Sequence, residues 1–421
     1  ALLGLEWRGD EEPELDPRSR GRSSTMAAQR RIGMRMLSTS SVLLAGTRER
    51  RTSRQSWSYM SEVIGQATLG GRHIRMGAGE ILKVMDLCAA SAAMKHVQHQ
   101  RTPTLAFDRL ELLVPICHGD LVHMDARVIN VGTSAMGVQV VGRKKDMRTR
   151  HWYYTHEAFA TFVSLGPDGK PSTVPELVLE TQEEIKSQEY AKKRVELARR
   201  YAREQAAFDS HPIDPLELEF KKVKGIEYMH IEDTVVRLRK NFLPRSLNGL
   251  GTIFGGDLME WMEGAAIVCA RNFTRNSNVV TIAMDNLFFM KPILPTHMLE
   301  LTARVVYCRT HTVQVETTVK IIESMWNQKK QDDVSHKGYF TILNTGEYGD
   351  KEEIFVKLEV GEDELSQREY LKAKHRAEFL WPTHDQESCR SRPSYGQAFT
   401  QEGVVPYPPW GDEERSYFGI A

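Results

Sequence analysis

The sequence predicts an α+β chain built as two copies of one domain. Two observations carry that prediction: a repeat at one constant offset, and the same helix-then-strands pattern on both sides of it. Asp108 and Asp285 stand 285 − 108 = 177 positions apart. Pro115 and Pro292, Gly79 and Gly256, Thr104 and Thr281, and Ala106 and Ala283 keep that spacing, and Ala126-Arg127-Val128 returns unchanged as Ala303-Arg304-Val305. No gap is needed from about Ala78 to Val140. The period is far longer than that of a solenoid repeat, so the expectation is an internal pseudo-dimer of two domains.

The elements follow in order. Residues 1–25 are acidic and do not begin with Met, whereas the stretch from Met26 to about Arg54 is rich in Arg and Ser with one acid, Glu49. That is the composition of an organelle transit peptide, so residues 1–60 are read as a disordered leader. An N-terminal domain is expected over 61–166, with its repeated part beginning near Arg72. GEILKVMDLCAASAAMKHV places Ile81, Leu82, Met85, Cys88, Ala89, Ala92 and Ala93 on one helical face, whose small residues let the helix lie deep against a sheet. Strand-like runs follow: TPTLAFDRLELLVP, DLVHMDARVINVG, MGVQVVGRK and HEAFATFVSL.

A linker over 167–226 combines the turn-rich GPDGKPSTVP with a highly charged helix, expected to be solvated. The second domain, 227–347, repeats the pattern with GDLMEWMEGAAIVCARNF, VVTIAMDNLFFMKP, MLELTARVVYC, TVQVETTVKII and GYFTIL. Residues 348–421 read as a polar helix and a disordered tail rich in Pro, Ser, Gly and Glu. Each domain is therefore one long helix against a curved antiparallel sheet.

Composition narrows the function classes. Lys plus Arg and Asp plus Glu both number 56, so no strong attraction to nucleic acid or anionic membrane is implied. Five scattered cysteines without a CxxC pair argue against a disulfide framework or a zinc site and for a reducing compartment. No apolar run reaches the ~18 residues of a membrane span. No metal or cofactor motif stands out: there is no Walker pattern and no GxGxxG.

The duplicated helix-then-sheet unit, with GTIFGGDLMEWME at one helix start and MDNLFFMKPILP ahead of LELTARVVY, resembles the double-hotdog acyl-CoA thioesterases, and among them the mitochondrial branch. The likeness covers about residues 60–345. It implies tandem hotdog domains, hydrolysis of a fatty acyl-CoA to free acid and CoA without a cofactor, a mitochondrial matrix location, and a homo-oligomer, a trimer of double-hotdog chains. Two other classes stay open: a non-catalytic hotdog subunit of a larger assembly, and a dehydratase acting on 3-hydroxyacyl thioesters.

The residues suggest the chemistry. Gly255 and Gly256 at a helix start present bare backbone N–H groups at the positive end of the dipole, with Asn248 and Thr252 as polar neighbours just upstream. Such donors could hold a thioester carbonyl and its developing oxyanion. Asp86 and Glu263 occupy equivalent helix positions, eight residues after Ala78 and Gly255, and are the candidate catalytic acids. The resemblance gives such an acid the role of general base or nucleophile, and sets the glycine loop of one half against the acid of the other.

Asp86 is therefore expected to serve the intact Gly255-Gly256 loop. Glu263 is expected to meet the altered loop around Arg75 and Gly77, with Arg75 as an ion-pair partner. Gly77 and Phe254 stand where a histidine often precedes the glycine pair in that family. Lesser candidates are Thr133 and Ser134, with Thr310-His311 as their counterpart, at a strand turn that could touch pantetheine or phosphates. His96 and His99 are read as a helix-end surface cap, and Asp108 and Asp285 as residues that orient backbone or the glycine loop. Cys88 has no arrangement that would make it a nucleophile.

Overall fold

Why the helices are buried follows from their small residues. All seven of Ile81, Leu82, Met85, Cys88, Ala89, Ala92 and Ala93 are buried, as are Met259, Met262, Ala265, Ala266, Cys269 and Ala270 of the second copy. The computed structural model describes residues 48–64, 76–145 and 152–379, apart from 113, 118, 210–212, 214–217, 219–223, 286, 325–332, 348 and 362. The acidic N-terminal stretch, most of the transit-peptide stretch, Arg75 and the tail from Pro382 lie outside the described residues.

The first half runs β1 (Arg50–Thr52), α1 (Ser53–Ser56), β2 (Ser58–Val63), α2 (Ala78–Val97), β3 (Thr104–Phe107), β4 (Leu110–Glu111), β5 (Leu121–Val131), β6 (Ala135–Lys145), β7 (Trp152–Val163) and β8 (Glu176–Val178). Helix α3 (Gln182–Ala207) connects it to the second half. There follow β9 (Glu227–His230), β10 (Val236–Lys240), α4 (Gly255–Thr274), β11 (Val279–Met284), β12 (Leu287–Phe289), β13 (His297–Cys308), β14 (Thr312–Ser324), β15 (Asp333–Asn344), β16 (Val356–Glu359) and α5 (Glu364–Glu378).

One 12-stranded sheet holds both halves, in the order β10-β13-β14-β15-β12-β3-β7-β6-β5-β2, with β11 pairing to β15 and β4. The seam is reciprocal. Strand β3 pairs with β12 (Phe107 with Leu287, Ala106 with Phe288), while β4 pairs with β11 (Leu110 with Met284, Glu111 with Ala283). Each half lends the other the strand it receives, the self-complementary pattern of a twofold interface within one chain.

Helices α2 and α4 cross over this seam at their first turns, and glycine makes the approach possible. A Cβ on Gly79 would lie 2.7 Å from the Glu260 Cα, and one on Gly256 would lie 2.9 Å from the Lys83 Cα. Lys83 and Glu260 are equivalent positions of the two copies, and they pair with each other, Nζ to Oε2 at 3.1 Å. Lys83 also reaches Asp257 at 2.6 Å.

Two expectations about the edges are corrected. The first half begins at β1, inside the stretch read as leader: Arg50–Thr52 pair with Glu176–Val178, Ser58–Val63 pair with β5, and Ser53 and Ser56 are fully buried. The connecting helix is not simply solvated. Glu184, Ser187, Ala191 and Tyr201 are buried, and the Arg194 guanidinium stacks 4.8 Å from the ring centroid of Phe159 on β7. Its far end lies along α5, where Gln205 donates to the Lys372 carbonyl at 3.3 Å. Charge at most positions hid the narrow apolar stripe that docks it.

Candidate active site

Neither long helix has a side-chain cap. Gly77 and Phe254 hold the N-cap positions of α2 and α4, and neither contributes a capping hydrogen bond. The orphan N–H groups of each first turn face instead an acid from the opposite helix, so the two helices cap one another across the seam.

The Asp86 centre combines both copies. Asp86 comes from the third turn of α2 and is completely buried. Thr104 Oγ1, at the start of β3, donates to Asp86 Oδ1 at 2.9 Å. Asp86 Oδ2 has no well-aligned donor and points at Gly255 of the other half, where a Cβ would stand 3.0 Å away. Burial raises the Asp86 pKa to about 7, against the opposing pull of the Thr104 hydroxyl and the Gly256 N–H. The ring of Phe289 would meet a Gly255 Cβ at 2.9 Å, and Phe254 also packs against Gly256, so aromatic rings flank this centre.

The Glu263 centre mirrors it. Thr281 Oγ1 donates to Glu263 Oε1 at 2.6 Å, and a Cβ on Gly79 would lie 3.3 Å from Oε2. Burial raises the pKa here too, opposed by Thr281 and the Gly79 N–H. The surroundings differ: Gly77 and Leu112 replace Phe254 and Phe289, and a cavity of about 480 Å³ opens against Glu263 and Thr281. The expected ion-pair partner of Glu263, Arg75, lies outside the described residues.

The crossed pairing of an acid with the opposite helix start is therefore present twice, once for each acid. The threonines were visible in the sequence as a repeated pair, but their role as hydrogen-bond partners of the acids was not read there. Strands β3 and β11 start where the long helices run past, and their first hydroxyls reach inward.

Asn248 and Thr252 build the loop that leads into α4. Asn248 Nδ2 donates to Thr252 Oγ1 at 2.8 Å, and its Oδ1 accepts from the Leu250 and Thr252 N–H groups at 2.9 and 3.2 Å. Their polar atoms are spent on each other, closing the turn through Gly251, whose φ is +75°. Thr133 and Ser134 cap the β5–β6 hairpin, and their carbonyls accept from the Val174 and Ser164 N–H groups at 3.0 and 2.8 Å. None of their described hydrogen bonds involves either acid.

Other readings change with the structure. His96 is not at the surface: it is fully buried, 3.2 Å from the Pro175 carbonyl, because the segment carrying β8 covers the helix end. Among the described residues, the ion pairs of Asp108 and Asp285 run to arginines and not to a glycine loop. Asp108 faces Arg194 of α3 at 3.8 Å, while Asp285 holds Arg109 of the other half at 2.6 Å and Arg376 of α5 at 3.8 Å. Burial pushes the Cys88 thiol up to about 12, so it is no nucleophile at neutral pH. Among the described residues, no group of three or more His, Cys, Asp or Glu could hold a metal ion, and no helix is long and apolar enough to cross a membrane.

Comparison with known proteins meets this geometry on both halves. The family model described as the thioesterase superfamily matches residues 78–150 and again 250–325. An uncharacterized acyl-CoA thioester hydrolase of Bacillus subtilis is 35% identical over 113 residues, 27% of this chain and 65% of that protein, so the match spans just under two thirds of that relative. One of Zymomonas mobilis is 32% identical over 104 residues, covering 24% of this chain and 67% of that protein. The cytosolic acyl coenzyme A thioester hydrolase of Mus musculus is 23% identical over 311 residues, 70% of this chain and 77% of that protein.

Proposed function

Since this chain belongs to the thioesterase superfamily and carries its hotdog domain twice, we propose that it hydrolyses acyl-CoA thioesters to free acid and CoA, with Asp86 as the principal acid. The observation that carries this reading is the crossed pairing of a buried acid, held by a threonine, with the uncapped start of the opposite helix.

Asp86 acts as general base. Its carboxylate takes a proton from water as the water oxygen attacks the thioester carbonyl carbon. A pKa raised to about 7 suits a base working near neutral pH. The Gly255 N–H, at the positive end of α4, supports the negative charge that forms on the carbonyl oxygen. When the C–S bond breaks, the proton passes from Asp86 to the departing thiolate. Gly255 has no side chain to intrude, and Asn248 and Thr252 hold the loop in shape by bonding each other. Thr104 keeps the carboxyl in one orientation.

The test is hydrolysis of a panel of acyl-CoAs of graded chain length by the purified protein. Asp86→Asn is expected to lower turnover about 10²-fold or more, the scale of losing a positioned base. Turnover by Asp86→Asn within a few-fold of the parent across the whole panel refutes the assignment.

Two further readings belong to this proposal. The basic stretch from Met26 directs the chain to mitochondria, and cleavage falls before Arg48, because β1 and β2 are built into the first half. A fusion of residues 26–60 to a fluorescent protein that stays cytosolic overturns this. Chains further associate into a trimer, six hotdog units in all; light scattering that finds only single chains at micromolar concentration rules it out.

A further inference from the structure

The face of the first sheet turned away from α2 carries another group of reactive side chains. Val122, Met124 and Ala126 of β5 belong to the core, so His123 and Asp125 between them point the other way. Both are buried. Ser61, directly across from His123 on the neighbouring strand β2, is exposed. Its Oγ lies 2.5 Å from His123 Nδ1, and His123 Nε2 lies 3.4 Å from Asp125 Oδ1. Asp125 is fixed from two further sides: Trp57 Nε1 donates to Oδ1 at 3.2 Å, and Arg143 Nη1 donates to Oδ2 at 2.6 Å. The fold does not require this set. At the equivalent place in the second half, Arg239 of β10 faces Glu300 of β13, an ordinary ion pair at 2.8 Å.

We propose that Ser61, His123 and Asp125 form a separate hydrolytic centre, a serine-nucleophile site that cleaves aryl esters. It is independent of the acyl-CoA reading and of both helix acids. Hydroxyl, imidazole and carboxylate in sequence define such a site by geometry and role. With Asp125 facing Nε2, the ring proton sits there and Nδ1 accepts from the serine. Strand β2 is the last of the sheet, and the Ile64 N–H donates to the Asp120 carbonyl at 2.9 Å. Antiparallel pairs alternate, so the Ser61 N–H turns away from β5 to the sheet edge, where it supports a negative carbonyl oxygen. The Tyr59 ring, 55% exposed, stacks 5.7 Å from the His123 ring, and Trp152 meets that ring edge-on at 5.8 Å. These rings suit a flat aromatic alcohol as leaving group.

Ser61 Oγ bonds to the ester carbonyl carbon while its proton passes to His123 Nδ1. The bond from that carbon to the alcohol oxygen breaks, and the alcohol takes the proton. Water then attacks the acyl-serine, its proton returns through His123 to Ser61 Oγ, and the free acid leaves. Asp125 is a positioning residue that holds the His123 ring in one orientation.

The test uses the full chain and an alkyl fluorophosphonate, which bonds covalently to an activated serine with loss of fluoride. Peptide mass spectrometry is expected to find the phosphonyl group on Ser61. His123→Asn should slow that labelling about 10²-fold or more, the scale of losing a positioned base. Hydrolysis of p-nitrophenyl acetate is measured in the Asp86→Asn background, so that the helix acid does not contribute. There Ser61→Ala should lower the rate about 10-fold or more. It alters one exposed side chain on an edge strand, and so decides the matter should the histidine variant not fold. Asp125→Asn should lower kcat about 10-fold with KM unchanged, a split that loss of structure alone would not give. Ser61 left unlabelled in the parent, labelling as fast in a folded His123→Asn, or ester hydrolysis unchanged in Ser61→Ala overturns this centre and leaves the acyl-CoA reading untouched.

Discussion

Asp86 is a carboxyl group kept out of water at the cost of its own ionisation. Its pKa near 7 has two consequences of opposite sign. Catalysis needs the carboxylate, so kcat/KM should fall as pH drops through about 7. Thr104→Val removes the hydroxyl that favours the charged form, and should move that limb to higher pH while lowering turnover; an unmoved limb would show that another group sets the profile. Stability runs the other way. The folded state holds the Asp86 proton more tightly than the unfolded chain, so this contribution is fully present below pH ~4 and is lost as pH rises through about 7. Asp86→Asn should therefore be the more stable protein at pH 8, by an amount on the order of a few kcal/mol, and gain little at pH 4. Melting curves at the two pH values check this. Both acids were legible from the sequence because equivalent charges on an otherwise apolar helix face stand out. Thr104 and Thr281 were not, since a threonine near the start of a strand is ordinary until the neighbouring helix shows what its hydroxyl meets.

At the level of elements, the long helices are placed by close contact at two glycines. Gly256→Ala would set a methyl group 2.9 Å from the Lys83 Cα, a backbone atom that cannot swing away. A loss of about 1–3 kcal/mol is expected from overpacking, together with reduced activity as the first turn shifts from Asp86. Chemical denaturation that finds no loss would show that the crossing relaxes freely. The helices outside the sheet have a different anchor. Arg376 of α5 is buried, lies 3.5 Å from the Tyr339 ring centroid, donates to Gln314 at 3.0 Å and sits 3.8 Å from Asp285. Arg376→Ala should cost on the order of 3 kcal/mol and loosen α5, measurable by denaturation and hydrogen exchange. Core helices and long strands were readable because burial imposes a period on apolar residues. Strands β1 and β2 escaped because their short runs lie in an Arg- and Ser-rich context, and the docking of α3 because a stripe one residue wide carries little hydrophobic signal.

For the whole molecule, the repeat predicted the twofold arrangement and the structure adds how the copies have diverged. On an ideal twofold axis a residue meets its own copy, and this chain sets Lys83 against Glu260 at such a meeting point. Two first halves brought together would oppose lysine to lysine there, with Glu80 at the position equivalent to Asp257, and two second halves would set Glu260 and Asp257 against their own copies. The Lys83–Glu260 pair thus favours the mixed pairing over either like one. Separately expressed halves should assemble as mixed pairs and resist forming like pairs, and the Lys83→Glu, Glu260→Lys exchange should restore mixed pairing that either change alone weakens. With a basic residue at one position and an acid at its twin, the seam has two unlike sides, so a change at one helix start need not be matched at the other.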